Sequence, residues 1–280
     1  MNAKSQKRVR DLRNASRVIL EKLAIDIGLV GGHSDYTRFI ILSRGRSGSN
    51  FLRGLLNSHS QILTFGELFR VQDSIGWEYP GYELNLQPQN LLRLAQSDPI
   101  RFLEKKVFRK YPNHISAVGF KIFYYHAQDS RQPLWSFLRN QKNLKVIHLK
   151  RKNTLRVLLS LKRAFQTNIW TINKITEVER LKYSLDYEEC LGEFTWSETV
   201  KKEFDSFFID SDKIDIFYED LASEYEIELE RILAFLNVSF EKLKPTTYKQ
   251  SSQPLSEEIS NYFELKERFK DSPWHEFFED

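Results

Sequence analysis

A short segment rich in glycine and serine, Arg44 to Asn50, carries the residue types best suited to binding an anion. An apolar run from Phe39 to Leu42 precedes it, and a helix-like pattern of apolar residues follows it directly. A strand–loop–helix turn offers backbone N–H groups and the positive end of a helix dipole, and both bind phosphate oxygens. Arg46 adds a positive charge to the same loop. The segment therefore predicts a phosphate-binding loop.

This loop differs from the two most familiar nucleotide-binding loops. A Walker A loop continues with Gly-Lys-Ser/Thr, whereas here Gly48 is followed by Ser49, and the cation of Arg46 comes before that glycine. A dinucleotide fingerprint needs G-x-G-x-x-G, which Gly45-x-x-Gly48 does not fit. A plain strand-to-helix turn is the alternative, but such a turn has no use for arginines beside a helix start. The pattern therefore favours an anion site of another kind.

A second basic segment follows another apolar strand, Leu144 to Leu149. Lys150, Arg151 and Lys152 come directly after this strand, and Ser160 lies in the helical pattern beyond it. In an open parallel sheet, ligands bind at the carboxyl ends of the strands. A solvated basic turn is the alternative. Together with the first loop, the segment predicts a second phosphate contact.

The first loop resembles the 5′-phosphosulfate loop of sulfotransferases that use 3′-phosphoadenosine 5′-phosphosulfate (PAPS). Bacterial carbohydrate and lipid sulfotransferases are the most similar, because they favour Arg at the first position of the motif. Asn50 stands where a hydroxyl is commoner, and its amide can still donate to a phosphate oxygen. The resemblance implies that the nucleotide is held by Arg44, Gly45, Arg46, Ser47, Gly48, Ser49 and Asn50.

The same resemblance assigns the 3′-phosphate of the nucleotide. The family holds it with an Arg at a strand end and a Ser in the next helix, which are Arg151 and Ser160 here. The two are nine residues apart, one more than is common, so Lys152 is left to share or take the Arg role. Weaker likenesses continue toward the C-terminus, and they imply that Tyr218 lies near the nucleotide. The product nucleotide would be 3′,5′-bisphosphorylated adenosine.

Sulfuryl transfer is an in-line displacement, so positioning and charge stabilisation should supply most of the catalysis. Arg46 is predicted to stabilise the leaving phosphate, and Lys121 to reach phosphate or sulfuryl oxygens. A hydroxyl acceptor also needs a base. Glu67 lies in an apolar setting that would raise its pKa, which makes it the predicted base. A surface role for Glu67 is the alternative, with His59 as the rival base.

The pattern of elements predicts an α/β fold, with a P-loop-like doubly wound parallel sheet of about four to five strands flanked by helices. Expected strands cover 38–43, 117–123, 144–149 and 213–218, and expected helices cover 50–58, 153–166, 222–236 and 259–270. The irregular stretches 71–111 and 168–210 are where acceptor-binding structure is expected, because inserted loops carry specificity. A basic amphipathic extension (1–36) is expected to precede one sulfotransferase domain (37–280).

Charge and composition limit the kinds of partner that the chain can bind. Residues 1–22 hold seven basic and two acidic residues, a net of +5, while the whole chain carries +4. The rest of the chain is thus nearly neutral, which excludes a domain-wide nucleic-acid footprint. Residues 1–27 have the pattern of a helix that lies on an anionic membrane or packs on the domain or a partner. The single cysteine and the lack of a signal-like apolar run predict a soluble, cytoplasmic protein, and residues 1–27 leave peripheral membrane contact open.

Three functions follow from these residues. The first is a PAPS-dependent sulfotransferase that acts without a metal on a small-molecule, glycan or glycolipid hydroxyl. The second is a nucleotide-dependent phosphotransferase with an atypical P-loop. The third is a non-enzymatic nucleotide-binding protein. Magnesium dependence separates the first two, and turnover separates both from the third.

Overall fold

The computed structural model describes residues 20–21, 23–70, 74–77, 88–170, 181–243 and 253–279. Its centre is a five-stranded sheet in which all neighbouring strands run parallel. A separate pair of two-residue strands lies antiparallel beside it. In chain order the strands are β1 (Gly32–His33), β2 (Thr37–Ser43), β3 (Ile62–Glu67), β4 (Tyr111–Pro112), β5 (Ala117–Phe123), β6 (Leu144–Lys150) and β7 (Asp212–Phe217).

Helices connect these strands, and two of them begin at clear N-cap residues. Asn153 and Asp186 cap two of them, each accepting a hydrogen bond from a backbone N–H of the first turn. The helices are α1 (Ser49–Leu56), α2 (Pro88–Ser97), α3 (Pro99–Phe102), α4 (Pro133–Arg139), α5 (Thr154–Thr167), α6 (Tyr187–Phe207), α7 (Tyr218–Ser223), α8 (Tyr225–Phe235), α9 (Leu255–Glu258) and α10 (Tyr262–Arg268). A π-helical turn (Leu103–Val107) and a 3₁₀ helix (His275–Phe278) complete them.

The sheet order β3-β5-β2-β6-β7 puts β2 at the centre. Alternate residues of β2 enter two apolar cores, one on each face of the sheet. Ile40 and Leu42 pack with the helices α2 to α4 and the end of α6, while Phe39 and Ile41 pack with α1 and α8. Coverage of both faces explains why this strand reads as a continuous apolar run. The carboxyl ends of all five strands consequently share one edge.

The predicted α/β fold with a parallel, doubly wound sheet is confirmed, and the four expected strands appear within one or two residues of their predicted bounds. The prediction missed β3, an edge strand. The helix expected over 222–236 is two helices, α7 and α8, with α7 beginning at Tyr218. The helix expected over 259–270 is limited to α10. The stretch 168–210 contains α6, the longest helix among the described residues.

The proposed boundary between extension and domain falls just before β2. Residues 1–19 lie outside the described residues; residues 20, 21 and 23–26 are helical. Ile25 is buried against Gly32, and β1 pairs with β4, so the end of the extension is tied to the domain. Within the part of the chain that the structure describes, no helix is long and apolar enough to cross a membrane.

Candidate active site

The loop between β2 and α1 has an unusual backbone. Arg46 and Gly48 both have positive φ angles, 65° and 81°, which turns the chain sharply before α1 begins at Ser49. The N-cap residue of α1 is Gly48, which has no side chain with which to cap the first N–H groups. The hydroxyl oxygen of Ser47 is buried and has no hydrogen-bond partner among the described residues. The loop thus offers donors that fit an anion.

Gly48 is packed against an aromatic ring at the end of β7. A Cβ atom at Gly48 would lie 2.0 Å from Cδ2 of Tyr218, far inside van der Waals contact. A Cβ at Gly45 would lie 2.7 Å from the hydroxyl of Tyr125, the end of a half-exposed side chain that can move away. Gly48 is therefore the glycine that its neighbours require. Tyr218 therefore lies beside the loop.

Arg46 reaches from the loop to α5. Its Nε donates to Oγ of Ser160 at 3.0 Å, and its Nη1 donates to the backbone carbonyl of Trp170 at 2.6 Å. Burial lowers the pKa of the Arg46 guanidinium, and the charges of Arg151 and Arg163 lower it further. An anion bound near these arginines would stabilise their charged forms. The predicted residues Arg46, Arg151 and Ser160 therefore lie in one neighbourhood.

Arg151 follows β6 and lies over the ring of Tyr218. Its guanidinium carbon is 4.3 Å from the centre of the Tyr218 ring, and its Nε lies 2.8 Å from Oε1 of Glu219. Burial lowers the pKa of Arg151. Lys152, by contrast, is exposed and pairs with Asp220. Of the two basic residues left open by the sequence, Arg151 is the one placed beside the loop.

A second group of polar side chains lies where β3 and β5 end. Glu67 pairs with Lys121 in register, after a bulge that follows Phe65, and bulges re-aim side chains next to active sites. The buried ammonium of Lys121 donates to Oδ1 of Asn50 and to Oε1 of Glu67, the latter at 3.2 Å. Lys121 thereby links the base candidate Glu67 to the first turn of α1.

Tyr125 lies next to this group. Burial of its hydroxyl, together with the charge of Glu67, raises the pKa of Tyr125 to about 12, although about half of the residue's surface is exposed. The hydroxyl therefore stays protonated near neutral pH. Tyr125 can therefore donate a hydrogen bond next to Glu67, the base candidate.

Two residues singled out in the sequence, Arg44 and His59, contact other parts of the protein. Arg44 forms an ion pair with Glu193 of α6, and its guanidinium carbon lies 5.0 Å from the Trp196 ring centre. His59 is in the turn that enters β3, at the opposite edge of the sheet. Its Nε2 contacts the carbonyl of Ser239 at 2.9 Å, and its Nδ1 accepts from the N–H of residue 61.

Beside the site, β6 carries a charged network. His148, Asp205 and Asp215 present possible metal-ligand atoms within 4.8 Å of one another. Lys150 donates to both carboxylates, and Lys213 donates to Asp205, so ammonium groups compensate their charge. Burial opposes ionisation of Asp205, but hydrogen bonds from His148 and the lysines hold its pKa well below its usual range. The network anchors the end of β6, directly before Arg151.

Sequence reasoning missed the contact between Arg46 and Trp170 and the position of Tyr125. A backbone carbonyl carries no signal in the sequence, so the Trp170 contact could not be predicted. Tyr125 follows the strand that holds Lys121, and strand order could have suggested that it lies near Glu67.

Comparison with known proteins gives consistent matches. A family model described as "Sulfotransferase family" matches residues 38–242. "Nodulation protein H" of Rhizobium tropici is 31% identical over 250 residues, which cover 86% of this chain and 92% of the relative. The protein of the same name from Rhizobium meliloti (strain 1021) is 30% identical over 258 residues, with 86% and 94% covered. A solved sulfotransferase from Alicyclobacillus acidocaldarius is 15% identical, covers 85% of this chain and 93% of its own, and has a TM-score of 0.46.

Proposed function

This chain belongs to the sulfotransferase family and is a PAPS-dependent enzyme, and we propose that it transfers the sulfuryl group to a hydroxyl of a glycan or glycolipid. One observation carries the proposal. Three groups of side chains lie at one edge of the sheet: the loop around Arg46, the pair Arg151 and Ser160, and the pair Lys121 and Glu67. Two cationic groups suit a nucleotide with two phosphates, and a carboxylate next to them suits an acceptor hydroxyl.

The residues fit the nucleotide in three independent ways. The buried hydroxyl of Ser47 lacks a partner among the described residues, so a phosphate oxygen would satisfy it. Burial and neighbouring arginines lower the pKa of Arg46, and an anion would stabilise its charged form. Gly48 lets the loop backbone approach Tyr218 closely. The 5′-phosphosulfate is assigned to Arg46 and the α1 amides, and the 3′-phosphate to Arg151 and Ser160.

Each side chain then has a defined task. PAPS supplies the sulfuryl group, and negative charge grows on the oxygen that bridges to the departing nucleotide. Arg46 holds that phosphate and stabilises the growing charge, a contribution of about 3–4 kcal/mol for a comparable donor. Asn50 and Glu67 fix the ammonium group of Lys121. In the proposed mechanism this ammonium also stabilises the negative charge on the same oxygens.

Glu67 is proposed as the general base. Its side chain is 26% exposed, so it is open to an acceptor while Lys121 keeps it in place. The acceptor oxygen forms a bond to sulfur as the bond from sulfur to the nucleotide oxygen breaks, and the hydroxyl proton passes to Glu67. The contacts of both His59 ring nitrogens with the backbone disfavour the alternative base.

The proposed reaction uses no metal, because the transferred group carries less charge than a phosphoryl group. This separates the proposal from a phosphotransferase with an atypical loop. Turnover that persists in excess EDTA supports sulfuryl transfer by this set of residues. Turnover that stops in EDTA and returns with Mg²⁺ favours the phosphotransferase.

We propose that the boundary between the extension and the sulfotransferase domain lies between residues 36 and 37. We also propose that residues 1–27 contact a membrane surface. In the described part of that segment Leu20, Leu23 and Ile27 are exposed, and Leu29 and Val30, just after it, are exposed as well. The net charge of +5 over residues 1–22 complements an anionic lipid surface. Such contact would bring the site to an acceptor anchored in a membrane.

The substitution Glu67→Gln tests the proposed chemistry. The amide keeps the shape of the side chain and can still accept from Lys121, so affinity for the product nucleotide should stay within about twofold. Sulfuryl transfer from sulfur-labelled PAPS should fall by about 10²- to 10⁴-fold, because the base is lost.

The matched control is Glu264→Gln, an exposed change on α10. It should leave both quantities unchanged. Near-normal transfer by Glu67→Gln would remove Glu67 from the mechanism. Failure of the unaltered protein to transfer sulfur to any hydroxyl would refute the proposed function.

A further inference from the structure

Three large apolar side chains are exposed together at the end of α5. Phe165 is 69% exposed, Ile169 is 50% exposed and Trp170 is 46% exposed. The rings of Phe165 and Trp170 lie edge to face, with centroids 5.2 Å apart and planes at 82°. Exposed clusters of this kind mark binding surfaces. We call the two rings the aromatic platform.

The turn that carries Trp170 is held by local hydrogen bonds. Asn168 ends α5 in the left-handed conformation, and its Oδ1 accepts from the indole Nε1 of Trp170 at 3.3 Å. The hydroxyl of Thr167 donates to the carbonyl of Arg163 at 2.7 Å and accepts from the N–H of Ile169 at 3.3 Å. The indole is therefore presented outward in a defined position, at low entropic cost to a ligand.

The aromatic platform is joined directly to the proposed transfer site. The carbonyl of Trp170 accepts from Arg46, the residue assigned to the leaving phosphate. On the same helix, Phe165 comes five residues after Ser160, which is about 7–8 Å along the axis. A molecule resting on the two rings would therefore lie near Arg46, the residue proposed to hold the phosphosulfate.

We propose that the aromatic platform binds a neutral sugar ring of the acceptor, an inference that rests on the proposed function. A pyranose has an apolar face of C–H groups, which packs on an aromatic ring, and a rim of hydroxyls that face water or polar groups. Trp170 supplies the apolar face, and Arg46 lies beside it as a donor to the rim.

An acyl chain fits this surface less well. It would place hydrocarbon against the polar edge formed by Arg46 and the carbonyl of Trp170, and removing polar groups from water without new hydrogen bonds is costly. A sugar supplies hydroxyl oxygens at that position.

The test uses the full chain, sulfur-labelled PAPS and a panel of neutral oligosaccharides built from glucose, galactose, mannose and N-acetylglucosamine. The comparison probes are 1-decanol and 4-nitrophenol. At least one oligosaccharide should be sulfated. For it, Phe165→Ala and Trp170→Ala should raise KM by about tenfold or more, while kcat changes far less. Trp170→Tyr, which retains a ring, should recover most of the loss.

The control variant is Phe240→Ala. Phe240 is 61% exposed and follows Ser239, the residue that contacts His59 at the opposite edge of the sheet, so its loss should leave KM unchanged. Affinity for 3′,5′-bisphosphorylated adenosine should be equal in all variants that stay folded.

An unchanged KM in Trp170→Ala would overturn the proposal. So would sulfation of decanol or nitrophenol alone, which would leave the proposed sulfuryl transfer standing. Absence of any transfer and of nucleotide binding by the unaltered protein would refute the proposed function and the platform together.

Discussion

The substitution Gly48→Ala probes the loop at its tightest point. At a φ of +81°, an alanine pays about 1–2 kcal/mol because its Cβ crowds the following carbonyl. The new Cβ would also lie 2.0 Å and 2.4 Å from Cδ2 and Cε2 of Tyr218, so that ring must leave its rotamer, at about 0.5–1.5 kcal/mol. We expect the free energy of unfolding to fall by about 2–3 kcal/mol.

Urea unfolding and calorimetric titration with 3′,5′-bisphosphorylated adenosine measure the two effects. Because the loop amides and Tyr218 move together, nucleotide affinity should fall by at least about tenfold. Gly192→Ala is the matched control: it lies in α6 with no atom within 4 Å of the added Cβ, and should stabilise the protein by about 0.5–1 kcal/mol.

Adding Tyr218→Ala to Gly48→Ala separates the two costs. It removes the ring that a Cβ at Gly48 would meet, so the penalty specific to Gly48→Ala should shrink toward the cost of the backbone angle alone. A Gly48→Ala protein that unfolds and binds the nucleotide like the unaltered protein would refute the packing of Tyr218 on the loop.

Other expectations follow from the same contacts. In a thermal shift assay without Mg²⁺, 3′,5′-bisphosphorylated adenosine should stabilise the protein far more than AMP, which lacks the 3′-phosphate assigned to Arg151; equal shifts would contradict that assignment. Arg163 and Glu258 form a buried ion pair at 2.6 Å, so Glu258→Ala should lower the free energy of unfolding by about 3–5 kcal/mol, because the charge of Arg163 stays buried. Glu267→Ala removes one partner of an exposed pair and should hardly change the free energy of unfolding. Vesicles with anionic lipid should bind the full chain and lose it on deletion of residues 1–27, while neutral vesicles should not bind; equal binding to both would exclude the charge-based contact.

The centre of the site could be predicted from the sequence because its signals are local. The strand–loop–helix pattern around Arg46 depends on neighbouring residues, and the structure has the loop where the pattern placed it. The strand β3 was missed because it contains Thr64 and Gly66, which weaken the apolar pattern. Missing β3 also hid the reason why Glu67 meets Lys121, which is their register across two parallel strands.

Other contacts depend on tertiary packing, which sequence spacing does not encode. Arg44 stands next to the loop in sequence, yet it pairs with Glu193, far along the chain on α6. His59 lies close to Glu67 in sequence but at the other edge of the sheet, because a strand separates the two. Strand direction, rather than distance along the chain, decides which polar residues meet.

The most direct test of the central claim is sulfuryl transfer by Arg46→Ala. Transfer from sulfur-labelled PAPS to the best acceptor is measured as kcat/KM, with Arg139→Ala, an exposed change on α4, as the control. The proposed role of Arg46 predicts a fall of about 10²- to 10³-fold, together with weaker binding of the product nucleotide and unchanged values for the control. Normal transfer and normal nucleotide binding by Arg46→Ala would contradict the assignment of this loop to the phosphosulfate.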